Sequence, residues 1–106
     1  MEIIWLTFLG PDRFSELCPD NIGENEQFVA DLCRTALNSL PFLALLDNVK
    51  IEYSATTKTY RIDMFIYCSV TVIGLTTAPS NIGAVVEGAI SQRLGEIFSQ
   101  VESLEN

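Results

Sequence analysis

The sequence predicts a single α+β domain over residues 1–106, with a mainly antiparallel sheet and two helices packed on one face of that sheet. Hydrophobic residues make up 48% of the 106-residue chain, which is enough to line one core. Two long segments place apolar residues three and four positions apart, as in amphipathic helices, and three segments show the β-branched or alternating pattern of strands. No linker separates these segments, so we expect them to share one core.

The first predicted strand covers residues 2–9 and is stopped by a Gly-Pro pair. Because it is apolar on both alternating faces, we expect it to be central in the sheet or covered by a partner. Residues 10–26 lack periodicity and contain Pro, Asp, Asn, Gly and Glu, which predicts a long acidic loop. At the end of this loop, Asn21 or Asn25 offers a side-chain oxygen that would cap the first N–H groups of a helix.

That helix is predicted to end or kink near Ser39, because Pro41 lacks an N–H and crowds the preceding turn. Its buried stripe is expected to consist of Phe28, Val29, Leu32, Cys33, Ala36, Leu37 and Leu40. We expect Phe42–Leu46 to continue it as a short apolar segment, with Asp47–Asn48 as the exit turn.

Two strands are predicted next. Residues 49–56 alternate between apolar and polar, which indicates a strand with one wet face, and Thr57–Thr59 are expected to form a hairpin loop. The following run, Tyr60–Leu75, is longer than one strand usually is, so we expect a bend or bulge near Cys68 or Ser69. The residues expected to face the core are Ile62, Met64, Ile66, Cys68, Val70 and Val72.

The last helix is predicted from Ile82 to Ser103. Small residues follow one side of it, namely Ala84, Gly88, Ser91, Gly95 and Ser99. Because glycine costs a helix about 0.5–1 kcal/mol relative to alanine, this strip predicts close packing against the first helix or against a helix of another chain. The order β-α-β-β-α resembles that of a ferredoxin-like βαββαβ unit lacking its last strand, a resemblance in element order alone.

Composition disfavours several classes of function. Six basic side chains against 14 acidic ones give a net charge of −8, which disfavours direct binding to nucleic acid or to an anionic membrane. The chain has no histidine, and hence no Ser-His-Asp, Cys-His or His-zinc site, so we expect no enzyme activity, no metal and no cofactor. The apolar N-terminal run is too short to span a bilayer. Three cysteines without a CxxC pair fit a reducing, cytoplasmic location.

An apolar sheet face is the strongest functional feature of the pattern. Phe65 and Tyr67 are expected on the strand face opposite the core, and Ile4, Leu6 and Phe8 are expected to face water beside them. Such a face is uncommon on a monomer, so the sequence predicts a protein interface. The partner would be a second copy, or a larger protein that this domain regulates, adapts to or inhibits. The alternative is that the long acidic loop folds over the face.

The carboxylates of the acidic loop are predicted to form a second contact at the rim of that interface. They are Asp12, Glu16, Asp20, Glu24 and Glu26. Two alternatives remain open for them. One is a divalent-cation site, although their spacing is not that of an EF-hand loop. The other is imitation of a phosphate array that blocks a DNA- or RNA-binding enzyme.

A further alternative is small-molecule or anion binding at the loop before the last helix, residues 76–83. The hydroxyl and amide groups that would hold the anion are those of Thr76, Thr77, Ser80 and Asn81. Free N–H groups at the start of the helix would favour negative charge there. An ordinary helix cap explains the same residues.

Overall fold

The structure, a computed structural model, describes residues 2–11, 16–40, 42–72, 82–98 and 102–104. Its elements are β1 (Glu2–Pro11), α1 (Ile22–Asn38), β2 (Phe42–Ser54), β3 (Thr59–Val72), α2 (Ile82–Leu94) and β4 (Glu102–Leu104). The four strands pair antiparallel in one sheet, in the order β2-β3-β1-β4. The predicted α+β class and the order β-α-β-β-α are confirmed, and β1 is central in the sheet.

Both helices pack on the same face of the sheet and share one hydrophobic core with it. That core contains Val29, Cys33 and Leu37 of α1, Val86, Ile90 and Leu94 of α2, Leu6 and Phe8 of β1, and Ile62, Met64, Ile66 and Cys68 of β3. β1 and β3 each contribute core residues of one parity, whereas β2 changes parity at a register shift, with Phe42 and Ala44 before the shift and Ile51 after it. Because side chains alternate along a strand, residues of the other parity point away from both helices.

The second helix is shorter than predicted, because α2 ends at Leu94 rather than at Ser103. Gly95, a poor helix former, follows, and the hydrogen bonding tightens there, with the Ile97 N–H donating to the Leu94 carbonyl at 3.1 Å. The chain then returns to the sheet, where β4 pairs with β1 opposite Thr7–Leu9. A short fourth strand thus extends the order to βαββαβ, at a place where the sequence predicted helix.

The second strand begins earlier than predicted. Phe42–Leu46, expected to continue α1, forms the first part of β2, and Asp47–Asn48, expected as a turn, lie inside the strand. The register with β3 shifts by one residue between Leu46 and Asn48, as in a β-bulge. A short apolar run does not distinguish helix from strand, and here the pairing with β3 decides between them.

A second register shift lies near the end of β3. Phe42 pairs with Val72 and Ala44 pairs with Cys68, so a step of two residues on β2 corresponds to four on β3. The bulge predicted near Cys68 or Ser69 is confirmed. The irregularity lets a 14-residue strand follow the twist of a single sheet.

The hairpin end of the sheet is closed by an aromatic contact. Turn residues 55–58 join β2 to β3, and the predicted loop Thr57–Thr59 overlaps this turn at two residues. A Cβ added at Gly10 would lie 2.7 Å from three ring atoms of Phe98, so only glycine allows the ring to pack there. The ring of Phe98 also lies 6.1 Å, centroid to centroid, from that of Tyr60. The segment after α2 is thereby held against β1.

Three residues of the small-residue strip on α2 do not pack closely against α1. Ala84, Gly88 and Gly95 are exposed, and a Cβ added at Gly88 would meet no atom within 4 Å. The close packing against α1 predicted for these three residues is therefore wrong. Ser99 lies outside the described residues.

Candidate functional site

The sheet face that points away from both helices carries a cluster of apolar side chains. The register aligns Tyr67 of β3 with Ile3 on one side and Leu45 on the other, and aligns Phe65 with Trp5. Paired residues of antiparallel strands point to the same face, so these side chains are neighbours, and Leu43 shares the face of Leu45. We call this cluster the open-face patch: Ile3, Trp5, Leu43, Leu45, Phe65 and Tyr67.

Four members of the open-face patch are exposed. The exposed fraction is 62% for Ile3, 50% for Trp5, 42% for Leu43 and 52% for Leu45, while the two aromatic residues of β3 are half-buried between them. The Trp5 ring stacks on that of Phe65, with centroids 5.3 Å apart and 22° between the planes. Within the described ranges, no helix covers this face.

The parity of β1 is the reverse of the predicted one. Ile4, Leu6 and Phe8, expected to face water, point toward the helices, and Leu6 and Phe8 are buried there. Ile3 and Trp5 take the outward positions instead. Because β1 is apolar at both parities, its periodicity does not indicate which set faces the helices, and the pairing with β3 determines the choice.

Toward the hairpin, the same face becomes polar. The Thr7 hydroxyl donates to Asp63 Oδ1 at 2.6 Å, and Arg61 Nε donates to Oδ2 of the same carboxylate at 3.3 Å. Lys50 lies opposite Asp63 on β2. The Arg61 side chain is half exposed, so this ion pair contributes little to stability. The open face is therefore divided into an apolar end and a charged end.

Two of the predicted acidic contacts belong to a helix rather than to a loop. α1 begins at Ile22, so Glu24 and Glu26 lie in its first turns. Glu26 Oε2 accepts a hydrogen bond from the Ile51 N–H at 2.9 Å. Since β2 is an edge of the sheet, this carboxylate satisfies an N–H that points away from β3. Glu26 thus has a structural role within the chain.

The other two acidic contacts predicted for the loop that the structure describes also lie on the helix side of the sheet. Glu16 and Asp20 are exposed in the segment before α1, and Leu17 between them is buried in the core that the helices share. This part of the loop does not cover the open face, and it does not meet the open-face patch. Asp12 lies outside the described residues.

Asn25 anchors the segment before α1 instead of capping the helix. Its Oδ1 accepts a hydrogen bond from the Cys18 N–H at 3.0 Å, and its Nδ2 donates to the Cys18 carbonyl at 2.6 Å. The Asn25 side chain is buried. Asn21 stands at the N-cap position without a side-chain cap hydrogen bond. The capping predicted for these two residues is therefore wrong.

Replacing Asn25 with alanine is expected to lower the free energy of unfolding by about 1–2 kcal/mol, because the Cys18 N–H loses its acceptor and the buried site loses both side-chain hydrogen bonds. Asn21→Ala is the matched control and is expected to stay within about 0.5 kcal/mol of the wild type. Urea denaturation followed by circular dichroism measures both. Equal losses in the two variants would contradict the anchoring role.

The three thiols differ in environment. Cys18 is exposed, whereas Cys33 and Cys68 are buried. Burial raises the pKa of the Cys33 thiol to about 12, and the Arg34 guanidinium opposes that shift only in part. A thiol that stays protonated is a weak nucleophile and a weak metal ligand. Cys33 therefore acts as a small hydrophobic residue of the core.

The other predicted sites receive no support from the described part of the chain. Its His, Cys, Asp and Glu side chains form no group of three that would hold a metal ion. Neither of its helices combines the length and the apolar composition that crossing a membrane requires. The alternative anion site lies outside it, since Thr76, Thr77, Ser80 and Asn81 are all in the segment 73–81.

Four members of the open-face patch are not evident from the sequence pattern. Ile3 and Trp5 are masked by the two apolar faces of β1, and Leu43 and Leu45 lie in the run that was predicted as an extension of α1. No clear signal was available for Phe42–Leu46, because the run is apolar throughout and a short apolar run fits a strand as well as a helix. Compared with protein-family models, with curated proteins and with solved structures, the chain matches none of them.

Proposed function

We propose that this protein is a non-catalytic binding module whose open-face patch docks a protein partner, and that it acts through this contact as a regulator, adaptor or inhibitor. The observation that carries the proposal is the exposure of Ile3, Trp5, Leu43 and Leu45 side by side on one sheet face. Covering apolar surface gains about 25 cal/mol for each Å² removed from water. Contiguous apolar patches on soluble domains are typical of interaction sites.

The centre of the open-face patch has the composition of a binding hot spot. The stacked rings of Trp5 and Phe65 are held in one orientation before any partner arrives, so little side-chain entropy is lost on binding. Ile3 and Leu45 flank Tyr67 in the adjacent row of the sheet. Trp and Tyr are enriched among the residues that dominate interface energies. We therefore expect Trp5 to be the main anchor.

A cytoplasmic location is part of the proposal. None of the three cysteines of the chain forms a disulfide with another. Thiols that form no disulfide persist in reducing compartments, whereas oxidising compartments favour disulfides in small domains.

Affinity capture from extracts of the native host, with the tagged full chain as bait, tests the proposed function. The variant combines Trp5→Ser with Leu45→Ser, which removes two exposed apolar side chains from different strands. Lys50→Ser is the matched control, because Lys50 is an exposed residue of β2 at the charged end of the same face. Circular dichroism and thermal unfolding verify that each bait is folded.

We expect the wild type and the Lys50→Ser control to retain the same protein, and the double variant to lose it. The loss should be at least tenfold in recovered partner, since removal of a hot-spot residue costs about 2 kcal/mol or more. An unchanged set of captured proteins for a folded double variant would refute the proposed function.

A further inference from the structure

The acidic charge of the chain is unevenly placed over the described residues. The helices with the turns attached to them carry seven acidic and two basic side chains, whereas β2, β3 and the turn between them carry three of each. On the helix side these are Glu16, Asp20, Glu24, Glu26, Asp31, Glu87 and Glu96, with Arg34 and Arg93; on β2, β3 and their turn they are Asp47, Glu52 and Asp63, with Lys50, Lys58 and Arg61, and the other two strands of the sheet add Glu2 and Glu102. The helix side is therefore strongly negative, and the two strands that frame much of the open-face patch are neutral.

This charge pattern constrains what can cover the open-face patch. A basic partner would be drawn to the negative helix side, away from the patch. Two copies that met through their helix sides would bring like charges together. Two copies that meet through the open face avoid this juxtaposition, and each offers the other an apolar surface that matches its own. A contact of this kind is isologous, the arrangement found in twofold-symmetric dimers.

The size of the open-face patch is sufficient for such a contact. Four apolar side chains at about half exposure and two half-buried aromatic rings amount to roughly 500 Å² of surface. Two copies placed face to face would then remove about 1,000 Å² from water, which is the lower limit for a specific interface. The charged end of the face, around Arg61 and Asp63, would supply the polar rim.

We infer that the partner of the open-face patch is a second copy of this chain, packed face to face across the patch in a twofold-symmetric dimer. The inference rests on the proposed function and names its partner. Trp5 and Phe65 lie in the buried centre of the dimer, and the acidic helix layers face outward on opposite sides.

Sedimentation equilibrium of the full chain, from low to high micromolar concentration and at low and high salt, tests the dimer. The mass should rise from 11.8 kDa to twice that value. Added salt should strengthen the dimer, because it screens the repulsion between two chains of charge −8. The single tryptophan, Trp5, gives a second readout: its fluorescence emission should move to longer wavelength as dilution separates the copies.

Leu45→Glu is expected to raise the dimer dissociation constant at least about 30-fold. Gln27→Glu introduces the same side chain at an exposed position of α1, outside the open face, and is expected to change the constant less than about fivefold. Trp5→Ser repeats the test without a charge, in case the first variant does not fold. A wild type that stays at 11.8 kDa throughout, or patch variants that dimerise as tightly as the wild type, would overturn the inference.

The outcomes separate this inference from the proposed function. One outcome is that the wild type is monomeric and captures a partner that the Trp5→Ser and Leu45→Ser bait does not capture. The proposed function then stands, with a partner other than a second copy of this chain. If added salt weakened the binding of that captured partner, electrostatic attraction would be what holds the complex together. A monomeric wild type whose captured proteins do not depend on the open-face patch would refute both.

Discussion

Phe8→Ala is expected to lower the free energy of unfolding by about 3–5 kcal/mol, whereas Trp5→Ala, three residues earlier on the same strand, is expected to lower it by about 1 kcal/mol or less in the monomer. The difference arises because the two side chains lie on opposite faces of β1. Phe8 is fully buried between the sheet and the helices, so its removal leaves a cavity in the core. Trp5 is half exposed and loses mainly its stacking contact with Phe65.

Guanidinium denaturation at a protein concentration below the dimer range measures both values. With total stabilities of about 5–15 kcal/mol for domains in general, the Phe8 variant is expected to be close to unfolded at physiological temperature. If Trp5→Ala proved as destabilising as Phe8→Ala under monomeric conditions, Trp5 would be a core residue and the open-face patch would lose its centre.

These two variants also test which face of β1 points toward the helices, a feature that the sequence did not predict correctly. Other features were predicted correctly. The fold class and the element order follow from sequence patterns that fit one type of element. The inward parity of β3 follows from Arg61 and Asp63, which mark its other face as polar. The bulge near Cys68 follows from strand length alone. These features are local, and local patterns report them well.

The features that were mispredicted depend on contacts between distant segments. The parity of β1 is set by its register with β3, about 60 residues away along the chain, and no local pattern encodes that register. Phe42–Leu46 is apolar throughout, so its membership of β2 is decided by the partner strand. The apolar spacing after Leu94 continues that of α2, yet Ile97 and Phe98 are buried by a turn that leads to β4.

The sequence predicted an apolar sheet face, but it did not predict all of the residues that lie on that face. An excess of apolar residues over what two helices can cover is a property of composition and element count, so a sheet face that neither helix covers was foreseeable. Phe65 and Tyr67 were assigned to that face because their polar neighbours fixed the parity of β3. The acidic residues were grouped with them because charges at the rim of an interface set partner choice, and the fold places the described ones on the helix side instead.

Above pH 9, the free energy of unfolding is expected to fall more steeply for the wild type than for Cys33→Ala. Burial raises the pKa of the Cys33 thiol from 9.0 to about 12, so between these values the unfolded chain loses the thiol proton while the folded chain retains it. Unfolding then releases a proton, and rising pH favours it; below pH 9 the thiol is protonated in both states and contributes no slope.

At pH 11 the contribution of this thiol amounts to about 2–3 kcal/mol, since each unit of pKa difference corresponds to about 1.4 kcal/mol. All other ionisable groups are present in both proteins, so their contributions cancel in the difference between the two stability curves. Cys18→Ser, which removes an exposed thiol, serves as the control and should keep the wild-type slope. Urea denaturation between pH 8 and pH 11 gives the curves. Parallel curves for the wild type and Cys33→Ala would mean that water reaches the thiol, and that the core between α1 and β3 is less closed than its packing indicates.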